Sequence, residues 1–430
     1  MANPLHVIIS GAGLAGPALA IALAKQSIRS TILERRPYSQ DIGGVIMLAV
    51  NAMHVMEDLL HMGDRLRSLG DTFKAINLYT KGSNTLDAIG GFTVEDKGVQ
   101  ALTIARPVLH RELLRCCEEM SDMIEIRYSA ELESIEEDKE GCSAILKSGE
   151  VVKGEYLISS ISLRADGAGS ILVGADGIRS KARKHILGEN DITPRYAGYM
   201  SIGCILPRSA ANLPPNMTLP AFLYTPSGTF LIFAMDNTND KIQWATSINT
   251  PERDRRHGWD ELRTSGEALQ MLKDEYKGVT MEPIRTFVDS LSNDNLRLWA
   301  PYEVPHIPTW HMDRVCIVGD AAHAISPSVG QGSAQAFEDI AFLARLLASP
   351  AAVQKGFPAL FEYFEKVRRP RVKSIQAASA KAEGGRGKSG TIKWIIKSWG
   401  MWAGLNILGK GGYIKGDLFS YNVMEEKIQM

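Results

Sequence analysis

The sequence predicts an α/β fold: a parallel-sheet domain carrying an inserted, mainly β domain and ending in a C-terminal helical segment. Three observations predict it. The chain opens on a strand, a glycine turn, a helix and a second strand between Leu5 and Glu34. Two later apolar strands, in Ser170–Val173 and Val315–Val318, run into short turns containing Gly and Asp and then into helices. Between them, residues 195–300 read mostly as β with helical pieces.

At 430 residues the chain is long enough for two domains with large cores. A hydrophobic content of 45% and a charged content of 23% are ordinary for a globular protein. The net charge of -1 argues against nucleic acid as a general partner. Five cysteines, at 116, 117, 142, 204 and 316, form no metal-spaced pairs and leave an odd one. That pattern implies a reduced, cytoplasmic protein with free thiols and no metal site. The first strand begins almost at the N-terminus, which leaves no room for a signal peptide, and no apolar run reaches the length of a membrane span.

Each element has a local reason. Leu5–Ile9 is an apolar run that reads as a buried strand, and Gly11-Ala12-Gly13-Leu14-Ala15-Gly16 follows at once. Pro17 to Lys25 is small and apolar, as a helix packed on a sheet would be; Ser30–Leu33 is a second strand closed by Glu34 and Arg35. In a Rossmann-like unit Gly11 permits the tight turn, Gly13 lets backbone approach a pyrophosphate, and Gly16 lets helix and strand pack closely. The helix N-terminus offers N–H groups to phosphates, and Glu34 accepts from ribose hydroxyls. The alternative is a glycine-rich turn that only packs.

Gly43-Gly44-Val45 can bring backbone close to a ligand, and Asn51 to Leu69 has helical spacing. Residues 73–104 look like strands. Arg106 precedes a helix opened by Pro107, while His110 and Arg111 on that helix read as solvated. Residues 124–163 suggest an antiparallel meander. The strand ending at Gly174 leads into Ala175-Asp176-Gly177, where backbone can pass beneath a cofactor. Phe222, Tyr224, Phe230, Phe233 and Trp244 are candidate walls of a small-molecule site, Tyr224 and Phe233 foremost, with sheet core as the competing reading. The strand Val315–Val318 delivers Gly319-Asp320, then Pro327 and Gly330-Gln331-Gly332-Ser333 enter a helix running to Leu347. Asp320 can hold a ribityl hydroxyl, and the Gly330–Gly332 backbone can face an anionic ring edge. His323 reads as structural or as a cofactor contact. Glu383–Thr391 is a flexible break, and Ile392–Leu408, with Trp394, Trp399 and Trp402, reads either as a helix docked on the body or as one lying on a membrane surface.

With these stretches in order, the chain resembles the single-component FAD-dependent monooxygenases, the group of para-hydroxybenzoate hydroxylase, salicylate hydroxylase and many enzymes of fungal secondary metabolism. The resemblance runs from the first strand to about residue 370. It rests on the fingerprint at Gly11, Gly13, Gly16 and Glu34, an arginine at Arg106, a Gly174–Ser180 motif followed by Arg183, and Gly319-Asp320 running on to Pro327 and Gly330–Gly332. Asp417–Asn422 weakly resembles the aromatic ending of several members. One departure stands out. Members often carry Trp-Arg-Gly after Tyr-x-Gly-Tyr; here Tyr196-Ala197-Gly198-Tyr199 is followed by Met200-Ser201-Ile202-Gly203, without the arginine.

The resemblance implies an FAD-binding domain like that of para-hydroxybenzoate hydroxylase in residues 1–75, 101–185 and 285–390. It implies a substrate-binding β domain in 76–100 and 186–284, and a C-terminal helical segment in 391–430. It further implies hydride transfer from a transient NADPH or NADH to FAD. Capture of O2 as a flavin C4a-hydroperoxide and hydroxylation or epoxidation of a small organic substrate would follow. Only one complete glycine fingerprint is present, so the nicotinamide cofactor has no dinucleotide fold of its own. Oxidase or dehydrogenase chemistry, or a flavin-binding accessory role, remain alternatives on this scaffold. The missing arginine and the apolar second domain lean towards a bulky, weakly charged substrate. No side chain stands out as a catalytic base.

Overall fold

The computed structural model describes residues 5–39, 43–81, 86–138, 141–153, 169–226, 228–254 and 257–383. Beyond these it describes 396, 399–400, 403–404, 407, 413–415 and 418–430. Asp166–Ala168, Trp394, Trp402, Asp417 and most of Ile392–Leu408 lie outside the described residues.

The first domain is built on a six-stranded sheet in the order 311–312, 315–317, 170–174, 6–10, 29–33, 124–127. All neighbours pair in parallel except the short edge strand His311–Met312. The opening strand His6–Ser10 is central and apolar on both faces, with Val7, Ile8 and Ile9 fully buried, as a strand covered on both sides must be. The helix Ala15–Ala24 packs on the sheet through small residues, Ala18, Ala20 and Ala22 among them. In register, Ser10 pairs with both Leu33 and Gly174, and Gly174 with Ile317. The four strands therefore stop at one level, and the turns after them share one edge of the sheet.

The second domain is an eight-stranded sheet in the order 297–299, 199–207, 241–249, 228–234, 221–225, 75–81, 86–93, 413–415. It takes in Arg297–Trp299, beyond the expected span 186–284, and Tyr413–Lys415 from the C-terminal segment. Alternation along Lys241–Asn249 separates its faces. Ile242, Trp244 and Ile248 turn towards the helices Gly258–Thr264, Glu267–Glu275 and Ile284–Asp289 and form a second core with Phe230 and Phe287. Trp244 and Phe287 stack at 5.0 Å between centroids. The helical pieces expected within 195–300 include two helices separated at Gly266, whose φ of +82° a side chain would resist.

Other expectations also change. Ile124–Arg127 joins the parallel sheet, and the antiparallel meander is Leu132–Glu137, Cys142–Leu146 and Val151–Lys153. The helical stretch after Asn51 is three short pieces, with a wide turn at Val55–Leu59. Residues 418–430, apart from the turn Val423–Glu425, run as a strap over the first domain. Phe419 is buried beside Val50, Phe73 and Ile76. Its carbonyl accepts Asn51 N–H at 2.9 Å, and Arg345 donates to Val423 O and Glu426 O, each at 2.7 Å. No helix among the described residues is long and apolar enough to cross a membrane, and Ile396, Trp399 and Ile407 are exposed.

Candidate functional site

Because the parallel strands end level, Gly11, Glu34, Asp176 and Asp320 gather at one carboxyl edge although up to 309 positions separate them. Ligands of open parallel sheets bind at that edge. Gly11 adopts φ +104°, and a Cβ on it would lie 2.5 Å from Ala175 O; a Cβ on Gly16 would lie 1.9 Å from Gly11 O. Those two glycines are required by the fold itself.

Gly13 and Gly332 are different. A Cβ at either position meets nothing within 4 Å, and neither residue has positive φ. Nothing in the protein requires glycine there, so the space is available to something outside the chain. Both stand at helix starts of the same kind. Helix Ala15–Ala24 and helix Gly332–Leu347 have no side-chain cap and no acid in the first turn. Their first N–H groups are left to an external acceptor, and the helix ends favour negative charge. Leu14, Ala15 and Ser333 are half-buried at these starts. These features fit a dinucleotide with a pyrophosphate at one helix and an electron-rich ring edge at the other.

Glu34 is buried and already engaged. Its Oε2 accepts Ala12 N–H and its Oε1 accepts Arg36 N–H, both at 3.0 Å. The acid therefore shapes the glycine turn as well as offering its remaining lone pairs to a ribose; Arg35 beside it is exposed. His110, expected on a solvated face, is buried, and its Nε2 lies 2.6 Å from Ala12 O. Helical spacing alone did not reveal that this face of the helix Arg106–Glu119 meets the fingerprint turn.

Asp176 caps the helix Lys181–Leu187 through Oδ2, which accepts Lys181 N–H at 2.7 Å and Ala182 N–H at 3.2 Å. Its buried Oδ1 has no protein partner, and desolvation raises the carboxyl's pKa. Arg183 is buried and ties this turn to the next motif, donating to Ile178 O at 3.0 Å, Ala321 O at 3.1 Å and Asp191 Oδ1 at 3.1 Å. Asp320 follows Gly319 and is exposed, yet protein encloses it closely enough that desolvation raises its pKa, against the pull of His323 and Arg106. Arg106 is half-buried; desolvation lowers its pKa, and the charge of Asp320 opposes that. Pro327 heads a short turn, and Gly330 adopts φ +64° beside the Met47 side chain.

The strongest feature under this site was not expected from sequence. Arg368, on the long helix Phe357–Glu383, is fully buried between Glu338 and Asp339, at 2.6 and 2.9 Å. Asp339 also accepts Gly319 N–H at 2.9 Å and pairs with His323 Nε2 at 2.6 Å. Glu338 accepts Asn51 Nδ2–H at 2.6 Å, and the same nitrogen donates to Gln331 Oε1 at 2.8 Å. Burial works to raise the Asp339 pKa, but His323 and Arg368 outweigh it and hold it down. The network braces both Gly319 and Gln331 from below. His323, buried and paired with Asp339, belongs to this network. Its sequence signal was a pair of adjacent acids in an otherwise apolar helix, with Arg368 thirty positions on from Glu338.

The sheet of the second domain turns its other face to this edge. Phe222, Tyr224 and Phe233 are half-buried on it, with Phe222 and Phe233 edge-to-face at 6.2 Å. Phe230 and Trp244, grouped with them by sequence, lie on the opposite face in the core. Among the described residues no cluster could hold a metal ion.

Fold and site together define a flavoprotein class. The chain belongs to the FAD-binding family, whose model, described as an FAD binding domain, matches residues 4–379. It is an FAD-dependent monooxygenase of that family. The chain is 26% identical to 3-hydroxybenzoate 6-hydroxylase 1 of Aquipseudomonas alcaligenes, over 79% of each chain. It is 26% identical to 3-amino-4-hydroxybenzoate 2-monooxygenase PtmB3 of Streptomyces platensis, over 88% of this chain and 87% of that one. A salicylate hydroxylase substrate complex shares the fold with TM-score 0.72 and 21% identity, covering 94% of this chain and 95% of that one.

Proposed function

We propose that the carboxyl edge binds FAD noncovalently, and that the enzyme uses NADPH or NADH and O2 to hydroxylate or epoxidise a small organic substrate. The pyrophosphate lies at Gly13–Ala15, the adenosine ribose at Glu34, the ribityl chain at Asp320, and the pyrimidine edge of the ring at Gly330–Gly332. Gly43–Val45, Arg106 and Asp176 line the remainder. Residues 1–75, 101–185 and most of 300–390 form the FAD-binding unit. The eight-stranded sheet covers the substrate. Bound FAD supplies the hydride acceptor and the means of activating O2. The protein's own part is to place the ring between the two domains, offer N–H groups to its electron-rich edge, and shield the reacting face from water.

The observation that carries this reading is the pairing of Gly13 and Gly332. Both are glycines the fold does not need, each at an uncapped helix start on one edge. The relatives' names specify hydroxylated aromatic acids, and the Phe222–Phe233 face offers aromatic packing. Substituted aromatics are therefore the first substrates to test. NADPH and NADH oxidation is followed with each compound, together with oxygenated product. Substrate-stimulated oxidation coupled to product is expected. Reduction of the flavin with no oxygenated product from any substrate would move the reading to a dehydrogenase.

Glu34→Ala is expected to weaken FAD binding by roughly 1.5–3 kcal/mol, the range of hydrogen bonds to a charged group. Because that change also orphans Ala12 N–H and Arg36 N–H, Glu34→Gln, which keeps an acceptor oxygen, should fall between parent and Ala. Fluorescence titration of the apoprotein with FAD measures it. Equal affinity in all three would remove Glu34 from the site.

A further inference from the structure

The segment Gly43–Val45 is fixed from several sides. Arg106 N–H donates to Gly44 O at 2.8 Å. From the β domain, Gln243 Oε1 accepts Val45 N–H at 2.7 Å, and Arg297 Nη1 donates to Gly43 O at 3.0 Å. The Gln243 amide covers Gly44 so closely that a Cβ there would fall 2.1 Å from its Oε1. Both side chains stand on strands flanking Tyr199–Pro207, where Gln243 is opposite Ile205 and Arg297 opposite Gly203. This is the stretch, Met200–Gly203, in which the arginine seen in many relatives is absent. At Gly203 the two strands run close, since a Cβ there would lie 2.0 Å from Trp244 O. The neighbouring strand Arg297–Trp299 supplies a guanidinium to Gly43 O.

We propose that Arg297 and Gln243 are positioning residues, forming a clasp by which the β domain sets where Gly43–Val45 lies against the bound flavin. The inference rests on the FAD reading above. Two consecutive glycines are permissive backbone, and they hold one place only when their peptide groups are tied. Arg297 is exposed, so its hydrogen bond adds little to overall stability. A residue that contributes little to the fold, yet fixes a glycine pair at the domain junction, acts on the geometry of the site.

The test is amide hydrogen exchange over residues 43–48 of the apoprotein, with FAD titration and the visible spectrum of the loaded protein. Parent, Arg297→Ala, Arg297→Lys and Gln243→Leu are compared. Arg297→Ala and Gln243→Leu should each raise exchange several-fold in that segment alone, with Tm within about 3 °C of the parent. They should weaken FAD by roughly three- to tenfold, the scale of one hydrogen bond, and shift the flavin band. Arg297→Lys should recover part of each change. A parent that takes up no FAD would overturn the FAD reading. Unchanged exchange and spectrum in both truncations of a protein that does take up FAD would overturn the clasp alone.

Discussion

Arg368→Ala should destabilise the protein by about 3–5 kcal/mol, the cost of leaving buried charge without its partner. Glu338 and Asp339 are both fully buried, and Arg368 bridges them. Removing it leaves Arg371, at 3.3 Å from Glu338, and His323 to compensate two carboxylates. The pH dependence has a definite sign. The Asp339 pKa is lowered in the folded protein, so its contribution is present above the ordinary carboxylate pKa and is lost as pH falls through the lowered value. Urea unfolding of parent and variant at neutral and acidic pH measures both effects. The gap should narrow in acid, where Asp339 protonates. A loss below about 1 kcal/mol at neutral pH would show that the network does not hold this layer together.

Asp320→Ala should abolish FAD uptake at micromolar concentration while the fold persists. The carboxylate is exposed, so its removal opens no cavity in the core, though the half-buried Arg106 loses a nearby negative charge; an increase in Tm of the apoprotein is compatible with the carboxylate's unfavourable desolvation. Two hydrogen bonds donated by ribityl hydroxyls to a carboxylate amount to about 3–6 kcal/mol at the charged-group scale, a loss of more than a hundredfold in affinity. Asp320→Asn, which keeps an acceptor, should bind more tightly than Ala. Circular dichroism and FAD titration of the same samples separate folding from binding. An Asp320→Ala protein that binds FAD like the parent would place the ribityl chain elsewhere.

The legible parts of the fold were those written in local pattern. A buried strand running into a glycine turn appears as such at Ile9–Gly11, and alternation marks Lys241–Asn249 as a half-covered strand. The acids at 34, 176 and 320 could be placed at strand ends, and parallel pairing then brings them to one edge without further information. What sequence did not disclose depends on partners brought together by folding. His110 looked solvated because helical spacing does not say which neighbour a face meets; it meets Ala12 O. Phe230 and Phe233 are three positions apart and face opposite ways, which composition cannot separate but strand alternation can. Gln243 and Arg297 reach backbone 198 and 254 positions away, and no local rule announces such a contact. The strap through Phe419 is similar: an aromatic near the chain end is ambiguous until the pocket beside Val50 and Phe73 exists.

The central claim is that the fingerprint turn receives a pyrophosphate, and Gly13 tests it most directly because the fold leaves its Cβ free. The measurement is the FAD dissociation constant of the apoprotein, parent against Gly13→Ala, with Tm recorded on the same samples. The parent should bind one FAD per chain. Gly13→Ala should bind FAD at least roughly tenfold more weakly, at a Tm no lower than the parent's, since alanine lowers unfolded-state entropy where it fits. A Gly13→Ala protein that binds FAD as tightly as the parent would contradict it.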